Sequence, residues 1–354
     1  MYWHTHMWLS IFLFPFSLLY GVVTCVRNKL YDWKCIPSVQ YFDIYVISVG
    51  NITVGGTGKT PFVEYLVRSL SQDYRVAVLS RGYKRKTKGF HFVDVNSTPD
   101  KAGDEPCQIK WKFPDIAVAV DADRIRGIAA IRKKFPDTQI IILDDAFQYR
   151  RIKPDLSILL ADYNRPLYRD GMLPGGRLRE WACFAKRADV MVITKSPAGI
   201  THDVQQEMRR RYARIFPNDI FFSAIKYGEP IAMFPNSEKL STDELKQCDV
   251  LLITGIANPK PLEFFLSQNS VSIQTITFSD HHAFSEKDIT QMVKRWNGII
   301  STNKLLITTE KDAVRLQQMT IPEEIQKYSY YVPIELRVSD FKFRESDGIV
   351  KFFF

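Results

Sequence analysis

A glycine-rich loop near residue 55 has the composition and spacing of a phosphate-binding site. The segment Gly55-Gly56-Thr57-Gly58-Lys59-Thr60 follows an apolar run and precedes a helix-forming stretch. Glycines let backbone N–H groups converge on phosphate oxygens, and the start of the helix adds the positive end of its dipole. Lys59 can then reach the terminal phosphates of a nucleotide, and Thr60 can bind Mg²⁺. The predicted nucleotide site comprises Thr53, Val54, Gly55, Gly56, Thr57, Gly58, Lys59 and Thr60.

This loop is a variant of the usual P-loop pattern. A glycine usually stands five positions before the last glycine of the loop, and here Thr53 occupies that position. Dimeric partition-type ATPases carry a lysine directly before the glycine pair, where this chain has Val54. Switch GTPases carry a base-reading motif with an acidic residue, which the segment 194–197 (TKSP) lacks. The order of strand, loop and helix still favours phosphate binding over an ordinary glycine turn.

Two adjacent carboxylates end an apolar run farther along the chain. Residues 139–143 (QIIIL) lead directly into Asp144 and Asp145. An Asp at the carboxyl end of a buried strand holds Mg²⁺ in the Walker B arrangement, and open parallel sheets bind ligands at this end. The pair is therefore predicted to join Thr60 in a metal site, with a solvated acidic turn as the alternative.

Two further motifs could supply acid–base chemistry. Asp104 and Glu105 lie in a polar loop before the apolar run 116–120, and Asp280-His281-His282 follows an apolar run in the second half of the chain. Transfer of phosphate to an alcohol needs a group that takes the hydroxyl proton, and a carboxylate held near a histidine can do so. From the residues alone, a solvated pair of charges is the more ordinary interpretation of Asp104 and Glu105. The histidine pair could equally be solvated or bind a metal.

Basic residues cluster in two other segments. The segment 173–180 (LPGGRLRE) places Arg177 and Arg179 after a flexible turn, which suits a clamp on a transferring phosphate. The run 81–88 contains two arginines and three lysines. It could contact lipid phosphate or a membrane surface, or it could be a solvated charged face.

The elements that must position these residues follow a βα rhythm. Apolar runs at 44–49, 75–80, 116–120, 139–143, 156–160 and 190–194 alternate with helical or loop segments. This alternation predicts a doubly wound parallel sheet in an α/β fold of the P-loop kinase type. The predicted units are an N-terminal membrane-associated helix at 1–28, a nucleotide- and lipid-binding domain at 29–218, a two-stranded linker at 219–235 and a smaller α/β domain at 236–354.

The chain begins with a candidate membrane segment. The first 26 residues contain no Asp, Glu, Lys or Arg, and residues 7–23 are almost continuously apolar. Basic residues follow this run instead of preceding it, which favours a retained anchor with the rest of the chain on the cytoplasmic side. Pro15 interrupts a run of marginal length, so an interfacial helix is as consistent as a full span. A buried core helix is the alternative.

The bulk composition is that of a folded protein with an anionic partner. The formal net charge is +9, which suits a membrane surface, a phosphorylated substrate or nucleic acid. No nucleic-acid-binding module accompanies this charge. The five cysteines are scattered and lack CxxC spacing, which argues against a disulfide framework or a zinc site.

Taken in order, these segments resemble the tetraacyldisaccharide 4'-kinase family, the lipid A 4'-kinases. The resemblance is carried by the N-terminal apolar helix and by motifs that run through most of the chain. These are GGTGKTP at 55–61, SRGY at 80–83, GDEP at 103–106, ILDDAFQ at 142–148, LPGGRLRE at 173–180, ITGIANP at 253–259 and FSDHHAF at 278–284. Departures from the family pattern are modest, such as the continuation of GDEP as CQIKWKFP.

The resemblance implies transfer of the γ-phosphate of ATP, with Mg²⁺, to the 4'-hydroxyl of a tetraacylated glucosamine disaccharide 1-phosphate on the cytoplasmic face of the inner membrane. It implies that Asp104 is the general base and that a histidine of the DH motif polarises it. We assign this histidine as His281, and His282 is the alternative. Arg179 would then contact the phosphate in transfer. The residues implied to contact substrate are Glu105, Arg124, Gln148 and Glu180. Because base and histidine lie in different halves of the chain, the second domain must close on the first.

A second class of function stays open at this stage. The chain could be a membrane-attached P-loop ATPase that acts as a conformational switch for a protein partner, although no obligate partner is evident. Hydrolysis stimulated by a partner, without phosphate on lipid, would indicate this class. A nucleic-acid-binding ATPase is the weakest option, because the basic residues are dispersed.

Overall fold

A computed structural model describes residues 4–237, 240–280, 282–339, 342–346 and 349–353. Both helices and strands contribute to a mixed α/β fold, which confirms the predicted class. The strands are β1 (Tyr45–Gly50), β2 (Val76–Ser80), β3 (His91–Phe92), β4 (Ala117–Val120), β5 (Ile140–Asp144), β6 (Leu156–Asp162), β7 (Val190–Thr194), β8 (Asp219–Tyr227), β9 (Ile231–Ala232), β10 (Asp249–Thr254), β11 (Ser272–Thr277), β12 (Lys304–Thr309), β13 (Ser329–Val332), β14 (Ile334–Val338), β15 (Lys342–Ser346) and β16 (Ile349–Phe353).

Helices lie between most of the parallel strands, as the βα rhythm requires. The helices are α1 (His4–Asp32), α2 (Lys59–Leu70), α3 (Pro99–Ala102), α4 (Asp104–Lys112), α5 (Arg124–Lys134), α6 (His202–Tyr212), α7 (Thr242–Leu245), α8 (Lys260–Ser267), α9 (Glu286–Asn297), α10 (Glu310–Leu316) and α11 (Glu323–Gln326), with 3₁₀ turns at Leu167–Arg169 and Ala182–Arg187. The glycine-rich loop, residues 50–60, connects β1 to α2.

The larger sheet is dominated by parallel pairing. Within the described ranges it has nine strands in the order β14-β8-β7-β6-β1-β5-β2-β4-β3. Neighbours from β8 to β4 pair in parallel, and the edge strands β14 and β3 are antiparallel. Every residue of β5 is buried, because helices cover both faces of such a sheet. The central position of β1, between β5 and β6, brings the glycine-rich loop to the end of β5.

The smaller sheet has the order β11-β10-β12-β13-β9 in the part of the chain that the structure covers. Its three neighbours β10, β11 and β12 are parallel, and β9 is antiparallel to β13. The predicted two-stranded linker, 219–235, contains β8, which pairs with β7 of the larger sheet, and β9, which pairs with β13 of the smaller sheet. The domain boundaries stay a prediction. β14 also returns to the larger sheet and pairs with β8, so the chain crosses between the sheets in two adjacent segments.

Helix α1 packs one face on the body of the protein. Ser17, Gly21, Thr24 and Asn28 form a buried stripe on this helix, at the spacing of one helical face. The opposite faces are apolar and exposed, and they carry Phe12, Phe14, Phe16, Leu18, Leu19, Val22, Val23 and Val26. Across the residues the structure covers, no helix combines the length and apolarity that crossing a bilayer requires.

Candidate active site

The glycine-rich loop takes up a turn that only small residues adopt easily. Gly55 has φ 101° and Gly58 has φ 78°, both in the left-handed region that side chains disfavour. Two buried hydroxyls brace the loop. The Asn51 amide donates to Thr57 Oγ1 at 2.7 Å, and Thr194 Oγ1 donates to the Thr57 carbonyl at 2.8 Å.

The segment after residue 170 supports the other edge of this loop. The Val54 N–H donates to the Arg177 carbonyl at 2.8 Å, and the Arg179 N–H donates to the Ile52 carbonyl at 2.7 Å. These two backbone hydrogen bonds align the arginine-bearing segment with the loop, residue by residue. The Arg179 side chain thereby reaches the end of β5, where the two aspartates lie.

Asp145 is engaged by two cations at this position. Lys59 Nζ lies 3.7 Å from Asp145 Oδ1, and Arg179 Nη1 lies 3.3 Å from both carboxylate oxygens. Burial alone would raise the pKa of Asp145, but the lysine and the arginine hold it below its usual range. The structure therefore brings together Lys59, Asp145 and Arg179.

Asp144 has the opposite environment. It is 1% exposed, and one carboxylate oxygen accepts from Ser80 Oγ at 3.1 Å. The pKa of Asp144 is raised to about 7, mainly because the group is buried and, to a smaller degree, because Glu105 and Asp145 carry negative charge nearby. Its second oxygen is buried without a hydrogen-bond partner among the described residues.

A divalent cation fits this orphaned oxygen. Mg²⁺ prefers oxygen ligands, and one or two carboxylates usually hold it together with substrate phosphates and water. Among the described residues, no group of three His, Cys, Asp or Glu side chains could enclose a metal alone. Asp144 fits a metal shared with a nucleotide better than one held by a closed protein site.

The proposed base lies where the two sheets meet. Asp104 begins α4, and its carboxylate pairs with Arg315 of α10 at Nε–Oδ1 3.0 Å and through a second contact with Nη2. Glu105 is near enough to act on the charge of Asp144. The GDEP motif therefore lies within electrostatic range of the end of β5.

The histidine pair is only partly described. His281 lies outside the described residues, so its predicted role stays a prediction. The ring of His282 contacts residues close to it in the chain. Its Nε2 lies 3.0 Å from Asp288 Oδ2, and the ring stacks on Phe278 with centroids 4.5 Å apart. These contacts tie His282 to the start of α9.

Arg124 supports the site from behind. Its buried guanidinium donates to the carbonyls of Asp121, Ala122 and Asp144 at 3.1–3.4 Å and faces the Tyr149 ring. Burial lowers the pKa of Arg124. The side chain therefore contacts the backbone of the β5 end instead of projecting into open space.

Gln148 and Glu180 link the site to its surroundings. Gln148 Nε2 donates to the Asn51 carbonyl at 2.7 Å, and its amide oxygen accepts from Arg179 at 3.4 Å. Glu180 is 1% exposed and binds Asn28 of α1 at 2.7 Å and Arg187 at 2.6 Å. The carboxylate of Glu180 is thus occupied by protein groups, on the side of the loop that faces α1.

The sequence did not single out several residues at this site. Lys195 bonds the Gly56 carbonyl and, at 2.8 Å, the carboxylate of Asp162. It belongs to the segment 194–197 (TKSP), which lacks the acidic residue of the GTPase base-reading motif. Its position after a strand in the same sheet was the available signal, since strand ends share one edge. No comparable feature of the sequence pointed to a role for Arg315 at the site.

Comparisons with known proteins agree on one family. Residues 9–346 match the family model described as tetraacyldisaccharide-1-P 4'-kinase. Proteins named tetraacyldisaccharide 4'-kinase from Phocaeicola vulgatus and Parabacteroides distasonis are 45% and 46% identical over 92% and 91% of this chain, and 89% and 88% of their own lengths. The crystal structure of the "apo" form of LpxK from Aquifex aeolicus in complex with ATP superposes with a TM-score of 0.73 at 28% identity, over 94% of this chain and 96% of that one. The chain belongs to the tetraacyldisaccharide-1-P 4'-kinase family.

Proposed function

We propose that this protein transfers the γ-phosphate of ATP to the 4'-hydroxyl of a tetraacyl disaccharide 1-phosphate in lipid A biosynthesis. The observation that carries the proposal is the family match over residues 9–346, whose relatives bear the name of this activity. The related structure from Aquifex aeolicus holds ATP. The glycine-rich loop, Lys59 and Arg179 would supply the phosphate-binding groups that such a reaction needs.

The residues have separate tasks in this mechanism. Backbone N–H groups of the loop would hold the β- and γ-phosphates, and Lys59 would contact them while it stays paired with Asp145. Arg179 would neutralise charge on the phosphoryl group in transfer. Asp104 would accept the proton of the acceptor hydroxyl. The hydroxyl oxygen bonds to the γ-phosphorus, and the bond from this phosphorus to the β-phosphate oxygen breaks, which releases ADP. His281 is proposed to polarise Asp104.

Thr60 and Asp144 are the residues that would hold Mg²⁺. When bound, the ion would neutralise negative charge on the phosphates. The free oxygen of Asp144 supports this assignment, whereas the oxygens of Asp145 already contact Lys59 and Arg179. Glu105 and Gln148 are proposed to contact substrate, and Arg124 and Glu180 would support the residues of the site without contacting substrate.

We also propose that α1 attaches the protein to the cytoplasmic face of the inner membrane by lying in the interface. The exposed apolar side chains of α1, such as Phe12 at 71% and Leu19 at 64%, have no protein neighbours that bury them. An amphipathic helix buries such a face at the boundary of headgroups and acyl chains. The net charge of +9 favours an anionic surface, and docking there would bring the site to a membrane-bound substrate.

The decisive experiment follows labelled γ-phosphate from ATP and Mg²⁺ to a tetraacyl disaccharide 1-phosphate in detergent micelles. We expect label on lipid with the intact chain, and loss of at least about 100-fold in Lys59→Ala. The matched control is Lys133→Ala, on the exposed surface of α5, which should keep normal activity. ATP hydrolysis without label on lipid would contradict the kinase proposal and support the switch ATPase.

A further inference from the structure

Helix α10 presents charged side chains from the smaller sheet toward the proposed base. Arg315, near its end, is 7% exposed and pairs with Asp104, whose side chain is 14% exposed. Nε lies 3.0 Å from Oδ1, and Nη2 contacts the other oxygen. Two parallel contacts of this kind fix the plane of a carboxylate, because the guanidinium is a rigid fork.

Arg315 is itself held in place from behind. Its Nη1 donates to Asp312 Oδ1 at 3.2 Å, and Asp312 is fully buried. The second oxygen of Asp312 accepts from the Gly255 N–H at 2.8 Å and from Thr309 Oγ1 at 2.7 Å. The orientation of the arginine is therefore set by the ends of β10 and β12.

The same helix also contacts the segment that carries the histidine pair. Arg315 Nη1 donates to the His282 carbonyl at 3.3 Å, and Lys311 Nζ lies 3.1 Å from Asp280. Asp280 and His282 flank the proposed histidine in sequence. One arginine thus contacts both the base and the backbone of the histidine motif.

We propose that Arg315 is a positioning residue for Asp104, and that through it the smaller sheet orients the base for the acceptor hydroxyl. The proposal rests on the proposed function, in which Asp104 takes the hydroxyl proton. Arg315 contacts Asp104, Asp312 and the His282 carbonyl, so we expect it to act on the base and not on the nucleotide. Its loss should therefore lower turnover and leave ATP binding almost unchanged.

The test is a double-mutant cycle with Arg315→Gln and Asp104→Asn in the lipid-labelling assay. Misplacement of a catalytic group by about 1 Å can cost about 100-fold, so we expect Arg315→Gln to lower kcat by about 10- to 100-fold. The KM for ATP should stay within about twofold, because ground-state binding is retained. If Arg315 acts through the base, the double variant is no slower than Asp104→Asn alone.

Arg315→Lys and Arg295→Gln complete the design. Lysine keeps the charge but loses the fork, so it should recover part of the turnover. Arg295 is exposed on α9, and its variant should match the intact chain in turnover and melting temperature. If Arg315→Gln does not fold, Arg315→Lys carries the test, and normal turnover in the folded lysine variant would overturn the proposal.

The cycle separates this inference from the proposed function. Additive losses, or normal turnover in Arg315→Gln, would overturn the role of Arg315 and leave Asp104 as the base. Normal turnover in Asp104→Asn would remove the base itself, and with it the proposed mechanism. A matching fall in ATP affinity and turnover would show that Arg315 supports the fold of the whole site and would also overturn its specific role.

Discussion

At the scale of single residues, the two aspartates that end β5 differ because their neighbours differ. Asp145 faces Lys59 and Arg179, which stabilise its charge. Asp144 is buried. One of its oxygens accepts a hydrogen bond from Ser80, and the other has no hydrogen-bond partner among the described residues. Neighbouring positions of one motif therefore have different chemistry, and we propose that Asp145 pairs with protein cations and Asp144 with a metal.

We predict that Asp144→Asn raises the Mg²⁺ concentration needed for half-maximal turnover by about 10- to 100-fold. Asp145→Asn should shift this concentration far less, because its oxygens are already used by Lys59 and Arg179. A Mg²⁺ titration of the phosphate-transfer rate measures both. Equal shifts in the two variants would contradict the division of roles.

Glu64 of α2 gives a pH dependence of stability. It is buried between Lys112 and Gln108, each at 2.7 Å, and its pKa is raised from 4.5 to about 7 by burial and, to a smaller degree, by Glu310. An acid with a raised folded-state pKa binds its proton more tightly when folded, so this stabilisation is full below about pH 4.5 and is lost as the pH rises through about 7.

Glu64→Gln should remove this dependence. The free energy of unfolding of the intact chain should fall relative to that of the variant between about pH 5 and 8, by up to about 3 kcal/mol. Urea titrations at several pH values measure the difference. Glu335→Gln, at a half-exposed pair with Arg68, is the control and should parallel the intact chain. A constant difference between Glu64→Gln and the intact chain would contradict the prediction.

At the scale of elements, α1 has two faces with different surroundings. Its stripe of small and polar residues contacts the segment on both sides of Arg179. Trp181 Nε1 donates to the Gly21 carbonyl at 3.0 Å, and Ser17 Oγ accepts from the Gly175 N–H at 2.9 Å. The helix that we expect to meet the membrane is thereby joined to the segment that carries Arg179.

We predict that Gly21→Val loosens α1. A Cβ at this position would lie 2.6–2.8 Å from the Trp181 ring, which is closer than packed atoms allow. The expected loss is about 1–3 kcal/mol of stability, with faster proteolysis within α1 and lower turnover. Val22→Leu, on the exposed face, is the matched control. Equal proteolysis of both variants would show that the stripe does not hold the helix.

At the scale of the whole molecule, the site draws residues from both sheets. Contacts between α4 and α10 join the sheets at each end of α4, through Asp104 with Arg315 and through Lys112 with Glu310 at 2.7 Å. Lys112 also binds Glu64 of α2 at 2.7 Å. A single, partly buried lysine therefore connects the helix after the glycine-rich loop with the layer of the smaller sheet.

Lys112→Met should weaken this junction. It leaves two buried carboxylates without their cation, and loss of one partner of a buried ion pair costs about 3–5 kcal/mol. If the two sheets are the cores of separate domains, thermal unfolding of the variant should split into two transitions. Lys260→Met, at an exposed position, should unfold as the intact chain does. An unchanged melting profile in Lys112→Met would contradict the role of this residue.

The sequence by itself determined the parts of the site that lie on one strand and the loop after it. The glycine-rich loop and the aspartates of β5 could be located because strand, turn and helix signals are local, and parallel strands place their carboxyl ends at one edge. The ordered motifs also identified the family. These inferences needed only residues that are close in the chain.

Only the tertiary structure decided which distant residues meet. Asp104 and Arg315 are 211 positions apart, and Asn28 and Glu180 are 152 apart. Their pairing depends on the order of strands in each sheet and on how α4 packs against α10, and no local periodicity encodes either. Asp104 therefore acquires its contact with Arg315, and α1 its attachment to the segment that carries Arg179, through packing of elements that the chain brings together only when it folds.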